Sequence, residues 1–216
     1  MVSSLDPAVA APDEPTAPDP RADPDVALML AFRAGDDAAF ERLFARWSAP
    51  LLRHLERLVK EAATAEELMQ EAFLRVFRAR ERYAPEARFS TWLYTIATHL
   101  ALNELRRPRR RAGHRSTDED DDGAAGPPLV LAAPAPAPDA VVHARRVGAE
   151  VESALAALPE RQRAALLLAA VEGLSYAEVA QALGTTEKSV KALVHRARSA
   201  LAERLEAGGA GEEGAS

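Results

Sequence analysis

GLSYAEVAQALGTTEKSVKALVHRAR, residues 173–198, reads as a helix-turn-helix. Val179, Ala180 and Leu183 share one face of a first helix. Gly184 follows at the tight turn, where a residue without a β-carbon is needed. A second helix is predicted to open at Thr185 or Thr186, with Val190, Leu193 and Val194 as its apolar stripe. Ala180 is small enough to let that helix approach. Such a unit can place its second helix in the DNA major groove. Lys188, Lys191, His195, Arg196 and Arg198 lie on or near the exposed side of that helix. The plainer alternative is a helical hairpin with a solvated basic face. Small residue, glycine and apolar positions falling in register favour the DNA-reading unit.

Composition supports a helical chain. The 216 residues can hold one or two domains, and with 48% of them apolar a real core is possible. Alanine, leucine, arginine and glutamate dominate and aromatics are few, which favours an all-α protein. The absence of cysteine excludes disulfides and thiolate metal sites and fits a reducing cytoplasm. No basic stretch followed by an apolar one opens the chain, so no signal peptide is expected. The longest strongly apolar run, Ala164 to Val171, is far short of the roughly 20 residues of a membrane span.

The net charge of −6 argues against nucleic acid only until its distribution is read. Acidic residues load the N-terminal tail and the run Asp118 to Asp122. Arg106, Arg107, Arg109, Arg110, Arg111 and Arg115 cluster just before that run. DNA responds to local potential, screened within about 10 Å, rather than to the whole-chain sum.

Residues 1–24, rich in Pro, Ala and Asp, are expected to be a disordered acidic tail. Helical patterning fills residues 25–111. Asp36 is a predicted N-cap. Thr64 and Glu67 make a predicted capping box for a long helix with Leu68, Ala72, Phe73, Val76 and Phe77 on its apolar face. A loop over 83–89 follows. Ser90 or Thr91 is predicted to cap a further helix that ends at Pro108. Residues 112–139 read as a flexible linker, 140–206 as a second helical block with Pro159 at a helix start, and 207–216 as a frayed tail. The expected architecture is therefore two small helical domains on a tether.

Tyr83, Phe89, Trp92 and Tyr94 lie within twelve residues, in a chain whose aromatics number 6 Phe, 3 Tyr and 2 Trp. Asn103 and the arginines come next. Aromatics stack on unpaired bases, worth about 1–3 kcal/mol each, while arginines hold phosphates, so this combination suits capture of a separated DNA strand. Alternatively Trp92 and Tyr94 fill the core of a small bundle. Phe89, in the loop, is expected to be exposed.

Two stretches carry a specific resemblance. AEELMQEAFLRVFRARERYAPEARFSTWLYTIATHLALNELRRPRRR, residues 65–111, resembles region two of bacterial extracytoplasmic-function (ECF) sigma factors of the sigma-70 family. ALPERQRAALLLAAVEGLSYAEVAQALGTTEKSVKALVHRARSAL, residues 157–201, resembles region four of the same family. The resemblance implies a non-enzymatic, cofactor-free cytoplasmic protein that binds core RNA polymerase and directs it to promoters. It implies that Glu67, Gln70, Glu71, Leu74 and Arg75 dock on the clamp helices of the largest polymerase subunit. It implies that the C-terminal domain meets the flap region.

By the same resemblance, Tyr83, Phe89, Ser90, Thr91, Trp92, Asn103, Arg106 and Arg107 take the minus-ten element as unpaired strand, with one base flipped out of the stack. Thr186, Lys188, Ser189, Lys191, His195, Arg196 and Arg198 take the minus-thirty-five element as duplex. An anti-sigma factor gripping both domains is the remaining implied partner. His99 stands where the family commonly has asparagine, and Ala192-Leu193 replace a frequent serine-arginine pair, so those contacts do not carry over. Asp118 to Asp122 either mimic an RNA backbone in the polymerase channel or form a solvated spacer.

The rival readings are a stand-alone helix-turn-helix regulator and a helical interaction scaffold. The first explains the C-terminal domain but not the region-two pattern; the second predicts no binding to promoter DNA even with polymerase present. An enzyme is disfavoured: Gly173-Leu174-Ser175-Tyr176-Ala177 is one residue short of a nucleophile elbow and no strand precedes it.

Overall fold

The computed structural model describes residues 20–111, 148 and 150–210, with the backbone alone at 108–111 and 207–210. Among these residues every regular element is helical. The N-terminal bundle opens with α1 (Pro24–Arg33), whose N-cap Asp23 accepts the Asp25 N–H at 2.9 Å. The chain is thus already built into the fold at positions expected to belong to the tail. α2 (Asp37–Val59) follows Asp36, which caps by position only: its carboxylate takes Arg42 at 3.0 Å instead of the helix N–H groups. α2 ends on Lys60 in the left-handed region, φ 66°.

α3 (Ala62–Arg78) begins before the predicted capping box, because the Thr64 hydroxyl donates back to the Glu61 carboxylate. α4 (Phe89–Arg111) also starts earlier than predicted. Asp23, distant in sequence, accepts the Phe89 N–H at 3.0 Å and so supplies the cap expected from Ser90 or Thr91. α4 continues past Pro108. The missing N–H there removes one backbone bond in the last turns of the helix, where fewer bonds depend on it.

In the C-terminal bundle a helix over 150–156 (α5) leads to α6 (Glu160–Leu166), with Pro159 as its N-cap rather than its first helical residue. α6 passes into one π turn, Leu167–Val171. α7 (Tyr176–Leu183) and α8 (Glu187–Ala210) form the helix-turn-helix. Ser175 and Glu178 make a complete capping box on α7, and Gly184 ends it at φ 60°. The Ser189 N–H donates to Thr186 Oγ1 at 3.2 Å, which fixes the start of α8. Val179, Leu183, Val190 and Val194 are buried between the two helices.

The bundles are in contact, and their buried residues form one cluster. Arg163 of α6 is 2% exposed and donates to the Leu58 carbonyl of α2 at 2.7 Å and the Ala156 carbonyl of α5 at 3.1 Å. One cation thereby satisfies carbonyls near the C-terminal ends of two helices, where the helix dipoles favour positive charge. Beside it, His54 Nδ1 lies 3.2 Å from Glu172 Oε1, and Nε2 lies 3.4 Å from Thr98 Oγ1. The linker expected over 112–139, with Asp118 to Asp122 and Arg115, lies outside the described residues.

Candidate nucleic-acid interface

The loop between Arg82 and Phe89 is held at both ends by residues that local patterning did not single out. Arg33 donates to the Tyr83 carbonyl at 2.8 Å, and Asp23 accepts the Phe89 N–H. Between these anchors the loop bounds a cavity of about 400 Å³, lined by Arg82, Tyr83, Glu86, Thr91, Trp92 and Thr95, and by Gln181 of α7. The Tyr83 ring stacks against Trp92, centroids 4.9 Å apart. Its hydroxyl is buried and has no hydrogen-bond partner among the described residues. Burial, and then the charge of Asp23, push that phenol up to about 12, so it stays a protonated donor.

Phe89 is not exposed. It is fully buried, 6.3 Å from the Trp47 ring and 6.0 Å from Trp92, because the early start of α4 turns its side chain inward. Tyr94 is likewise core, edge-on to Trp47 and His54. Trp92 is half-buried and lines the cavity, so it is neither wholly core nor wholly exposed. Ser90 is half-buried, and Thr91 is 1% exposed. Asn103, Arg106 and Arg107 are exposed along α4, and Arg107 reaches back to Glu104 at 2.8 Å. His99 is exposed on the same helix.

On α8, Lys188 and Lys191 are exposed, as is Thr186 just before the helix. Ser189, His195, Arg196 and Arg198 are half-buried, so only part of the expected cationic face stands clear. Of the expected contact residues beyond the first turn of α8, Lys191 is the exposed one.

The α3 face carrying Glu67, Gln70, Glu71, Leu74 and Arg75 is largely exposed; Glu71 and Arg75 pair at 2.9 Å. Leu74 is 48% exposed and Phe77, one turn on, 43%. Phe77 was expected on the buried face. Phe44 of α2, 41% exposed, packs on Phe73 beside them. An apolar component therefore accompanies the charged one. Its signal in the sequence was the three-residue spacing of Leu74 and Phe77.

Where the bundles meet, Glu178 of α7 is the central anion. Thr91 Oγ1 donates to its Oε1 at 2.7 Å, and Arg88 Nη2 reaches its two oxygens at 3.1 and 3.2 Å. Burial alone would raise this carboxyl. The hydrogen bonds from Thr91, Ser175 and Arg88 outweigh it and hold the group below the ordinary range. Glu172 behaves alike: burial opposes ionisation, and bonds from His54 and Tyr94 more than compensate.

Two family models match this chain: "Sigma-70 region 2" over residues 43–111 and "Sigma-70, region 4" over residues 148–201. The ECF RNA polymerase sigma factor SigE of Mycolicibacterium smegmatis is 36% identical over 178 residues, covering 79% of this chain and 64% of that relative. RNA polymerase sigma factor CarQ of Myxococcus xanthus is 34% identical over 177 residues, covering 82% of this chain and 95% of the relative. Among solved structures, CnrH in complex with the cytosolic domain of CnrY shares the fold, with a TM-score of 0.59, 23% identity, and coverage of 85% of this chain and 97% of that one. So does the sigma factor RpoE in complex with the anti-sigma factor NepR from Bartonella quintana, with a TM-score of 0.57, 22% identity, and coverage of 77% and 96%. With both regions matched in order and a near-full-length relative above the level at which homology is secure, this chain belongs to the ECF sigma factors of the sigma-70 family.

Proposed function

We propose that this chain binds core RNA polymerase and directs it to promoters. α8 reads the minus-thirty-five element as duplex, led by Lys191 with His195 and Arg196 beside it. The cavity next to α4 takes a base of the minus-ten element from an unpaired strand, with Trp92 for stacking and the Tyr83 ring packed against it. Asn103, Arg106 and Arg107 follow the strand along α4. Phe89 supports this surface from beneath. The α3 face, from Glu67 to Phe77, docks on the polymerase clamp helices, and the C-terminal bundle meets the flap. An anti-sigma factor is the expected inhibitory partner.

One observation carries this reading. Two aromatic residues, Tyr83 and Trp92, line a cavity of about 400 Å³ in the same chain as a capped helix-turn-helix. Reconstitution with core polymerase tests it. Promoter-specific transcripts that depend on the added chain are expected. Failure to associate with core polymerase at low ionic strength, with no inhibitory partner present, overturns it.

A further inference from the structure

The contact between α4 and α7 has an unusual division of donors and acceptors. On the α4 side Arg88 and Thr91 converge on one point. Arg88 Nη2 lies 3.1 Å and 3.2 Å from the two oxygens of Glu178, and its Nε lies 3.3 Å from Oε1. Thr91 Oγ1 is 2.7 Å from Oε1. Thr91 also lines the strand-capture cavity, and so does Gln181, one helical turn beyond Glu178. An α7 carboxylate thus occupies paired donors at the edge of the cavity. A carboxylate and a phosphodiester each present two oxygens sharing one negative charge, and the arginine fork accepts either.

We propose that Arg88 and Thr91 form a seat for a backbone phosphate of the unpaired promoter strand, and that Glu178 fills this seat as a built-in mimic while the helix-turn-helix lies against α4. The inference rests on the sigma-factor reading and adds which loop residues hold the captured strand and what blocks them in the free chain. Two features support the exchange. Glu178 does not need α4 to cap its own helix: the Ser175 N–H and hydroxyl each hold Oε2 at 2.8 Å, so α7 keeps its start when the bundles part. Trp92, an aromatic that can stack on a base, lines the same cavity. Separation of the bundles then uncovers the seat and takes Gln181 out of the cavity lining in one movement.

The test uses the full chain and a fluorescein-labelled oligo-dT single strand of about 12 nucleotides. A duplex of equal length serves as control. Anisotropy is read across a salt series for wild type, Glu178→Gln, Arg88→Gln and the double variant. Glutamine can still serve the capping box, and Arg88 is half-buried, so thermal melts by circular dichroism should show all four folded. Glu178→Gln is expected to bind the single strand about fivefold tighter. Adding Arg88→Gln is expected to cancel the gain and lower the salt slope by about 0.7, the loss of one single-strand phosphate contact. An unchanged affinity for Glu178→Gln overturns the seat. So does an equal gain on duplex, or a gain that survives in the double variant. Polymerase reconstitution is run alongside. Transcripts from wild type with an unaltered salt slope for Arg88→Gln remove the seat and leave the sigma-factor reading standing. No transcripts from wild type removes the parent reading, and the seat's ligand with it.

Discussion

Phe89 sits at 0% exposure under Trp47 and Trp92, yet it stands in a sequence segment whose neighbours line the cavity beside α4. Phe89→Ala is expected to cost about 3–5 kcal/mol in urea unfolding, the range for emptying a buried phenylalanine site. A cost under about 1 kcal/mol would mean the ring is a surface contact after all. Lys191 is the opposite case. It is exposed, so Lys191→Ala should leave stability within about 0.5 kcal/mol while weakening minus-thirty-five duplex binding. Equal promoter occupancy in a footprinting titration would contradict its place in the groove. At this scale the sequence shows residue type but not orientation. Phe89 turns inward because Asp23 begins α4 at that residue, and the two are 66 positions apart.

The helix-turn-helix is the element most legible in the sequence. Ser175 with Glu178, the glycine at 184 and the threonine at 186 are local signals, and each does in the structure what its type implies. Ser175→Ala is expected to destabilise by about 1 kcal/mol through loss of the cap. Gly184→Ala should cost about 1–2 kcal/mol although its β-carbon would meet open space, because φ is 60° there. A neutral Gly184→Ala in chemical denaturation would refute the left-handed cap. Helix starts that rest on distant partners were less legible. The box at Thr64 and Glu67 had the right residues, but Glu61 takes the threonine hydroxyl and the helix begins at Ala62.

Across the whole molecule, the carboxylates at the bundle interface set an acid limit. Glu172 and Glu178 are both held below the ordinary carboxylate range when folded. The folded state therefore binds fewer protons than the unfolded one as the pH drops through that range. Their stabilisation is complete above it and is lost as acid protonates the folded carboxylates. Stability measured by urea should fall on that acid limb, and Glu172→Gln together with Glu178→Gln should flatten it. An unaltered pH profile in the double variant would show that the interface does not report on these groups. Arg163→Ala should destabilise by about 1–3 kcal/mol, because the Leu58 and Ala156 carbonyls lose their shared donor.

Sequence alone settled the helical class, the helix-turn-helix and the kinship of both regions, because periodicity, caps and turn glycines act over a few residues and leave their mark in order along the chain. The cavity and the contact between the bundles came only from tertiary structure. His54 and Glu172 are 118 positions apart, Arg163 and Leu58 105, and Arg88 and Glu178 90. Each of these residues alone passes for a solvated charge or an ordinary core position. Their pairing depends on how two apolar faces pack, and no short-range pattern encodes that.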